Sequence, residues 1–130
     1  MILMISKLPP PIGGVTVHVK RLVQKLKERD DFQADVLDYS RLKNPLKFII
    51  KISNAKLIHI HLSNKLFRFL LVLLLRLVNK KIVVTFHGKY DFQNIMDRIV
   101  LGTSTFSLVL NEFTYMHAIK FNSMHISKFI

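Results

Sequence analysis

The sequence contains no cysteine and no apolar run long enough to span a bilayer. Without cysteine the chain has neither a disulfide framework nor thiolate metal ligands, and it suits a reducing compartment, so we expect a cytoplasmic protein. The longest apolar segment, residues 66–78, contains two arginines, whereas a spanning helix needs about 20 apolar residues. This segment predicts a buried helix or one that lies at a membrane surface.

Acidic residues are few and unevenly placed. The chain has 20 Lys and Arg against 8 Asp and Glu, and no acidic residue lies between residues 39 and 90. The positive charge of that stretch is suited to an anionic surface such as lipid headgroups. The same cations would also fit solvated faces of helices that bury apolar stripes. No aromatic-basic motif or helix-turn-helix spacing is present, so we expect no nucleic acid partner.

The glycine motifs of nucleotide-binding proteins are incomplete. Residues 13–18 read Gly-Gly-Val-Thr-Val-His and lack the third glycine of G-x-G-x-x-G, although Asp38 lies where an acidic residue would bind a ribose. No Gly-Lys-Ser/Thr follows, so a P-loop is excluded. A dinucleotide site is therefore the disfavoured alternative.

Short apolar runs alternate with segments of helical periodicity along the whole chain. The pattern predicts strands at residues 1–6, 33–39, 56–62, 81–86, 106–110 and 124–130, and helices at 14–29, 44–52, 64–79, 91–101 and 112–120. It indicates one domain over residues 1–130: an α/β, doubly wound, Rossmann-like parallel sheet of about six strands with helices on both faces. In the order 3-2-1-4-5-6, strands one and four would be neighbours.

Residues that follow strands are the candidate site residues, because ligands bind outside the carboxyl ends of such sheets. Gly13 and Gly14 permit backbone angles and close approaches that a side chain would forbid, and the helix after them would attract a phosphate, carboxylate or hydroxyl. His87, after the fourth strand and near the glycines in that order, is the candidate catalytic group. Further cleft candidates are His18, Gly88, Asn111 and Glu112.

Each of these side chains also has a structural interpretation. His18 could pack against a neighbouring helix, His87 could bond a loop, and Glu112 could be an acidic residue that favours a helix N-terminus. His59 and His61 lie on one face of a strand and could form a metal pair. Without a third ligand in the sequence, a buried strand is favoured and no metal is expected.

The segment around residues 64–79 combines a leucine run with basic residues. Lys65, Arg68 and Arg76 lie among leucines and phenylalanines, a composition typical of helices that lie in a membrane interface. These three cations are the membrane-surface candidates.

Several motifs together resemble one enzyme family. Residues 1–6, MILMIS, followed by PPPIGGVTVHV, resemble the opening of GT-B glycosyltransferases of family 4. LIHIHLS at residues 57–63 resembles their third strand, Asp-Val-Val-His-Val-His-Ser, and KIVVTFHG at residues 81–88 resembles their fourth, with its Thr-x-His-Gly end. Residues 106–112 are similar to their fifth strand and end in Leu-Asn-Glu, where the family often has Val-Ser-Glu. The resemblance covers nearly the whole chain.

The resemblance implies the N-terminal, acceptor-side domain of a retaining glycosyltransferase, which transfers a sugar from a UDP- or GDP-sugar to a polysaccharide or lipid-linked acceptor without a metal. Gly13 and Gly14 would approach the donor phosphates, and His87 would lie beside the transferred sugar. The family's C-terminal donor domain, with its Glu-x7-Glu motif, is absent after residue 130, so we expect another domain or a separate chain to supply it and no activity without it. The competing hypothesis is a non-catalytic module with the same fold that binds a partner or the inner face of the membrane.

Overall fold

The computed structural model describes residues 1–10, 12–122 and 125–128, and strands and helices alternate along them. The strands are β1 (Ile2–Ser6), β2 (Ala34–Asp38), β3 (Leu57–Ile60), β4 (Lys81–Phe86), β5 (Phe106–Val109) and β6 (Ile126–Lys128). The helices are α1 (Gly14–Lys27), α2 (Pro45–Asn54), α3 (Lys65–Leu77), α4 (Ile95–Thr103) and α5 (Glu112–Ala118), with a 3-10 turn at Tyr39–Arg41. The predicted α/β class is confirmed.

The six strands form a parallel sheet in the order β2-β1-β3-β4-β5-β6. The predicted order is wrong, because β3 lies next to β1 in the place expected for β4. The reason lies in the strand compositions: β2 carries Asp35 and Asp38, which are least costly at a sheet edge, whereas β3 is almost fully buried. The predicted nearness of His87 to the two glycines depended on that order and therefore loses its support.

The chain divides into two compact units, Met1–His61 and Leu62–Ile130. In the first unit α1 covers β1, and Val19 and Val23 pack with Met4 in a buried cluster. The apolar residues of α1 in this cluster recur every three or four positions, so one stripe of the helix faces the sheet. Burial of each such side chain contributes about 1.5–3 kcal/mol, which fixes the start of α1 beside the end of β1.

In the second unit α3 packs against α4 and β4. The buried stripe of α3 includes Leu71 and Leu75, and β4 ends at the fully buried Phe86. The ring of Phe86 meets Tyr90 and Phe92 edge-on, with centroids 5.1 and 5.2 Å away. Such edge-to-face contacts stabilise the turn that follows β4.

Many predicted boundaries differ from the structure by one or two residues, and the start of the fourth helix differs most. The helix expected at residues 91–101 begins only at Ile95, because Phe92 is buried with a positive φ of 57° and Asn94 caps the helix. The strand expected at residues 124–130 is observed as Ile126–Lys128. Positions 124, 129 and 130 of that strand, and Pro11 of the glycine turn, lie outside the described residues.

Candidate functional site

The strand order reverses between β1 and β3, since the chain runs from β1 out to β2 and then returns past β1 to β3. Ligands of open α/β sheets bind outside the carboxyl ends of strands at such a reversal. The segments that follow β1 and β3 therefore form the candidate site of the first unit. They contain Gly13 and Gly14 after β1, and His61 after β3.

Asp38, at the end of β2, holds the loop that follows β1. Its carboxylate accepts hydrogen bonds from the backbone N–H of Leu8 at 3.2 Å and from the hydroxyl of Ser40 at 2.6 Å, and it pairs with Arg41 at 3.4 Å. Burial raises the pKa of Asp38, but these hydrogen bonds and the charge of Arg41 outweigh it and hold the pKa below its usual value. A ribose at Asp38 would have to displace these contacts, which counts against the dinucleotide alternative.

The N-terminus of α1 differs from those of the other α-helices in the described chain. Those four helices are capped by asparagine side chains, from Asn44, Asn64, Asn94 and Asn111. The N-cap of α1 is Gly13, whose N–H donates to Thr16 Oγ1 at 2.9 Å, while the same hydroxyl donates to the Gly13 carbonyl. Gly13 has no side chain that could accept a helix N–H, so this N-cap differs from the four asparagine caps.

Neither glycine at the start of α1 is required by the residues that the structure describes around it. Gly13 is extended, with φ −153°, and a Cβ there would approach only Thr16 Oγ1, at 3.9 Å. A Cβ on Gly14 would meet no atom of the described residues within 4 Å. The positive backbone angles that glycine permits are therefore not used here, and the space above the helix end is open. That a ligand occupies this space stays a prediction.

Three histidines lie together in the first unit. His59 and His61 are buried on one face of the sheet, with ring centroids 4.1 Å apart, and the half-buried His18 on α1 lies 5.9 Å from His61. The predicted shared face of His59 and His61 is therefore observed. No group of three metal-ligating side chains with suitable geometry occurs among the described residues. His18 thus lies near the segment that follows β3 and is not directed only at solvent.

His87 and Gly88 form a turn that the start of α5 holds in place. Gly88 has a φ of +106°, which strongly favours glycine. Its carbonyl accepts hydrogen bonds from Asn111 Nδ2 at 2.6 Å and from Thr114 Oγ1 at 3.1 Å. Thr114 Oγ1 also accepts the N–H of Tyr90 at 3.0 Å. His87, half-buried, is therefore carried on a fixed turn at the carboxyl end of β4.

Asn111 and Glu112 have structural partners within the second unit. Asn111 Oδ1 accepts the N–H of Thr114 at 2.8 Å, while its amide reaches Gly88, so this one side chain both caps α5 and holds the turn. Glu112 is exposed, lies in the first turn of α5 and pairs with Lys128. The structural interpretation of Glu112 therefore accounts for its position, and a role in ligand binding stays a prediction.

Arg68 is not a surface residue, and its prediction as a membrane-surface cation is corrected. Its guanidinium is fully buried and bonds Asp97 at 2.5 Å, the carbonyl of Leu62 at 2.8 Å and the Tyr90 hydroxyl at 3.2 Å. It also lies 5.0 Å from the ring centroid of Phe86. A buried guanidinium is stable only with such partners. It therefore joins α3, α4 and the turn after β4.

The opposite side of α3 is exposed and apolar. Leu66, Leu70, Leu74 and Leu77 follow one another at helical spacing and are each more than half exposed. Among the described residues no helix is long and apolar enough to cross a membrane. We call these four leucines the α3 leucine face.

Two cations remain beside the α3 leucine face. Lys65 is half exposed and lies 3.8 Å from Asp97, and Arg76 is exposed near the end of the helix. The two membrane-surface candidates other than Arg68 are therefore at the protein surface. Whether they meet a membrane stays a prediction.

Sequence reasoning missed the interactions of Arg68, Tyr90 and Thr114. For Arg68 a signal was present: positions 68, 71, 72 and 75 share one helical face, and the other three are apolar and buried. Its partner Asp97 lies 29 residues away, a separation for which helical periodicity carries no signal.

Comparison with known protein families and with curated proteins found no matching family model and no matching protein.

Proposed function

We propose that this chain is the acceptor-side half of a retaining GT-B glycosyltransferase that works at a membrane surface. In this proposal a donor-binding domain, in the same or another polypeptide, completes the site. The space at Gly14 that no described residue fills is the observation that carries the proposal. Two glycines that the fold does not require lie at the carboxyl edge of β1, beside the strand-order reversal.

The chemistry of sugar transfer explains why such an opening is useful. The bond between the sugar and the nucleoside diphosphate breaks, and negative charge grows on the departing phosphate. The acceptor hydroxyl oxygen forms the new bond to the sugar, and its proton passes to the departing diphosphate. The positive end of α1 and its N–H groups stabilise that charge, and the absence of Cβ atoms at Gly13 and Gly14 lets the phosphate approach. The donor is a UDP- or GDP-sugar, and the acceptor is a polysaccharide or lipid-linked glycan.

His87 is the proposed polar group beside the transferred sugar. The hydrogen bonds of Asn111 and Thr114 to the Gly88 carbonyl fix the turn that carries it. A group held in place before the substrate arrives needs little reorganisation during the reaction. With a donor domain supplied and UDP-glucose and GDP-mannose as donors, we expect His87→Gln to lower transfer by about a hundredfold. Unchanged transfer in this variant would remove His87 from the proposal.

The phosphate role of the glycine turn can be tested on this chain alone. UDP and GDP are added while NMR follows the backbone amides, and we expect the signals of Gly13, Gly14 and Val15 to move. Gly14→Val should abolish these changes, since its side chain fills the open space. Gly102→Val is the matched control, because Gly102 also lies in a helix with open space around it. Equal losses in both variants, or no shift at residues 13–15, would contradict the proposal.

The α3 leucine face favours a second candidate, a membrane-binding module without transfer activity. Exposed leucines flanked by cations match the composition of helices that lie in anionic membrane interfaces. Flotation with phosphatidylglycerol vesicles should show binding that weakens as salt rises and is reduced by combined Leu70→Gln and Leu74→Gln. Met116→Gln, an exposed apolar residue of α5, is the matched control. Vesicle binding without nucleotide shifts at α1 favours the module over the enzyme.

A further inference from the structure

A cavity of about 320 Å³ lies in the first unit, beside the outer strand β2. Four basic side chains line it: Arg41, Lys43, Lys47 and Lys51. Its other walls include apolar residues of β2 and Leu42. The volume is at the lower end of the range of small-molecule sites, about 300–1,000 Å³. The cavity belongs to neither the glycine turn nor the α3 leucine face.

The four cations are only partly neutralised by the protein. Lys51 pairs with Asp35 at 2.6 Å, and Arg41 pairs with Asp38 at 3.4 Å. Burial raises the pKa of Asp35, but the hydrogen bonds that it accepts from Lys51 and from the Val36 N–H outweigh burial, so the pKa lies below its usual value. The Asp35 carboxylate therefore stays ionised at neutral pH.

No carboxylate in the described part of the chain pairs with the other two cavity cations, Lys43 and Lys47. The cavity therefore keeps an excess of positive charge. The N-terminus of α2 adds no open donor at Leu46, because Asn44 Oδ1 accepts that N–H at 2.9 Å. Anion binding here would depend on the side-chain cations.

We propose that this cavity binds the phosphate group of a small phosphorylated ligand. Lys43 and Lys47 supply the charge that the protein leaves uncompensated, and Arg41 and Lys51 line the cavity in geometries fixed by their aspartate partners. The apolar wall contacts the carbon part of the same molecule. Phosphate is the favoured anion because it carries up to two charges and several acceptor oxygens, which suits more than one cation at once.

The source of the phosphate is either a soluble phosphate ester or a lipid headgroup. Leu46, Ile49 and Ile50 are at least half exposed on α2, the helix that also contributes Lys47 and Lys51. Inorganic phosphate and glycerol phosphate are therefore compared with phosphatidylglycerol vesicles as probes. Shifts at the cavity with vesicles identify the lipid source, and shifts with the soluble probes alone identify the soluble source. Both results support the phosphate site.

The test uses the whole chain and NMR of the backbone amides at residues 42–47. We expect saturable shifts with phosphate, and combined Lys43→Gln and Lys47→Gln should weaken binding about tenfold or more. The control combines Lys25→Gln and Lys56→Gln, which removes the same charge from exposed sites outside the cavity and should change affinity by less than about threefold.

Two results would overturn the phosphate site: shifts that never saturate, or equal weakening by the cavity variant and its control. Either would mean that phosphate responds only to the overall positive charge. The proposal does not depend on sugar transfer, since the cavity variant at Lys43 and Lys47 lies at neither the glycine turn nor the α3 leucine face. If phosphate does not bind the cavity, the nucleotide test at the glycine turn is unaffected. If nucleotides do not bind the glycine turn, the phosphate test at the cavity is unaffected.

Discussion

Replacing Arg68 with methionine should strongly destabilise the second unit. The change keeps an apolar chain of similar length but removes the hydrogen bonds to Asp97, the Leu62 carbonyl and the Tyr90 hydroxyl, which measure 2.5, 2.8 and 3.2 Å. The Asp97 side chain, only 4% exposed, keeps Lys65 at 3.8 Å as its remaining cation. Breaking a buried pair typically costs about 3–5 kcal/mol, and the nearby lysine places our expectation near 3 kcal/mol.

Urea unfolding followed by circular dichroism measures this cost. With a slope of about 2 kcal/mol per M, a loss of 3 kcal/mol lowers the midpoint by roughly 1.5 M. Arg76→Met is the matched control, because it removes the same charge from an exposed site on the same helix. It should change the free energy of unfolding by less than about 0.5 kcal/mol.

A double variant separates the ion pair from other effects of the substitution. Asp97→Leu combined with Arg68→Met leaves neither charge buried alone, so it should be more stable than the sum of the single losses predicts, by about 2 kcal/mol. If the single losses simply add, or if Arg68→Met costs less than about 1 kcal/mol, the reasoning about this buried pair is refuted.

Three further predictions concern glycines and aspartates of the two units. Gly14→Ala and Gly102→Ala should each leave the thermal unfolding midpoint unchanged or raise it, because alanine is more favourable than glycine in a helix by about 0.5–1 kcal/mol. A clear fall in the midpoint would show that the space at that glycine is not open. Gly88→Ala should cost about 1–2 kcal/mol in urea unfolding because its φ is +106°, and no loss would contradict that backbone angle. Asp35 and Asp38 have lowered pKa values, so the stabilisation that they contribute is present above about pH 4 and is lost as the pH falls further. Combined Asp35→Asn and Asp38→Asn should therefore reduce the dependence of the urea midpoint on pH between about pH 5 and 3. An unchanged pH dependence of that midpoint would refute this prediction.

The strands and helices could be predicted because each depends on local periodicity. The α1 helix is an example, since its apolar positions recur at three and four residues and its buried side chains follow that spacing. Strand order could not be read in the same way. Strand order depends on which strand can occupy the sheet edge at the lowest cost in free energy. The two aspartates of β2 were the signal that favoured this strand for the edge.

The positions of the two glycine turns could be predicted from the sequence, but the physical role of each glycine could not. The two glycine turns do follow strands, as expected, but for different physical reasons. Gly88 adopts a positive φ that other residues tolerate poorly, whereas Gly13 is extended and Gly14 lies in open space. The sequence does not distinguish these cases. A glycine that is needed for a positive φ and a glycine that leaves space at a helix end are the same residue type.

The side chains along β2 also determine how this protein can associate with others. The N–H of Val36 donates to Asp35 Oδ1 at 2.8 Å, and the carbonyl of Val36 accepts Lys51 Nζ at 3.3 Å. Side chains thus already satisfy the backbone groups of Val36 on this outermost strand. An incoming strand would have to break these bonds and bury the Asp35–Lys51 pair, so β2 is protected against edge-to-edge aggregation. Pairing of a further strand with β2 at Val36 is therefore disfavoured.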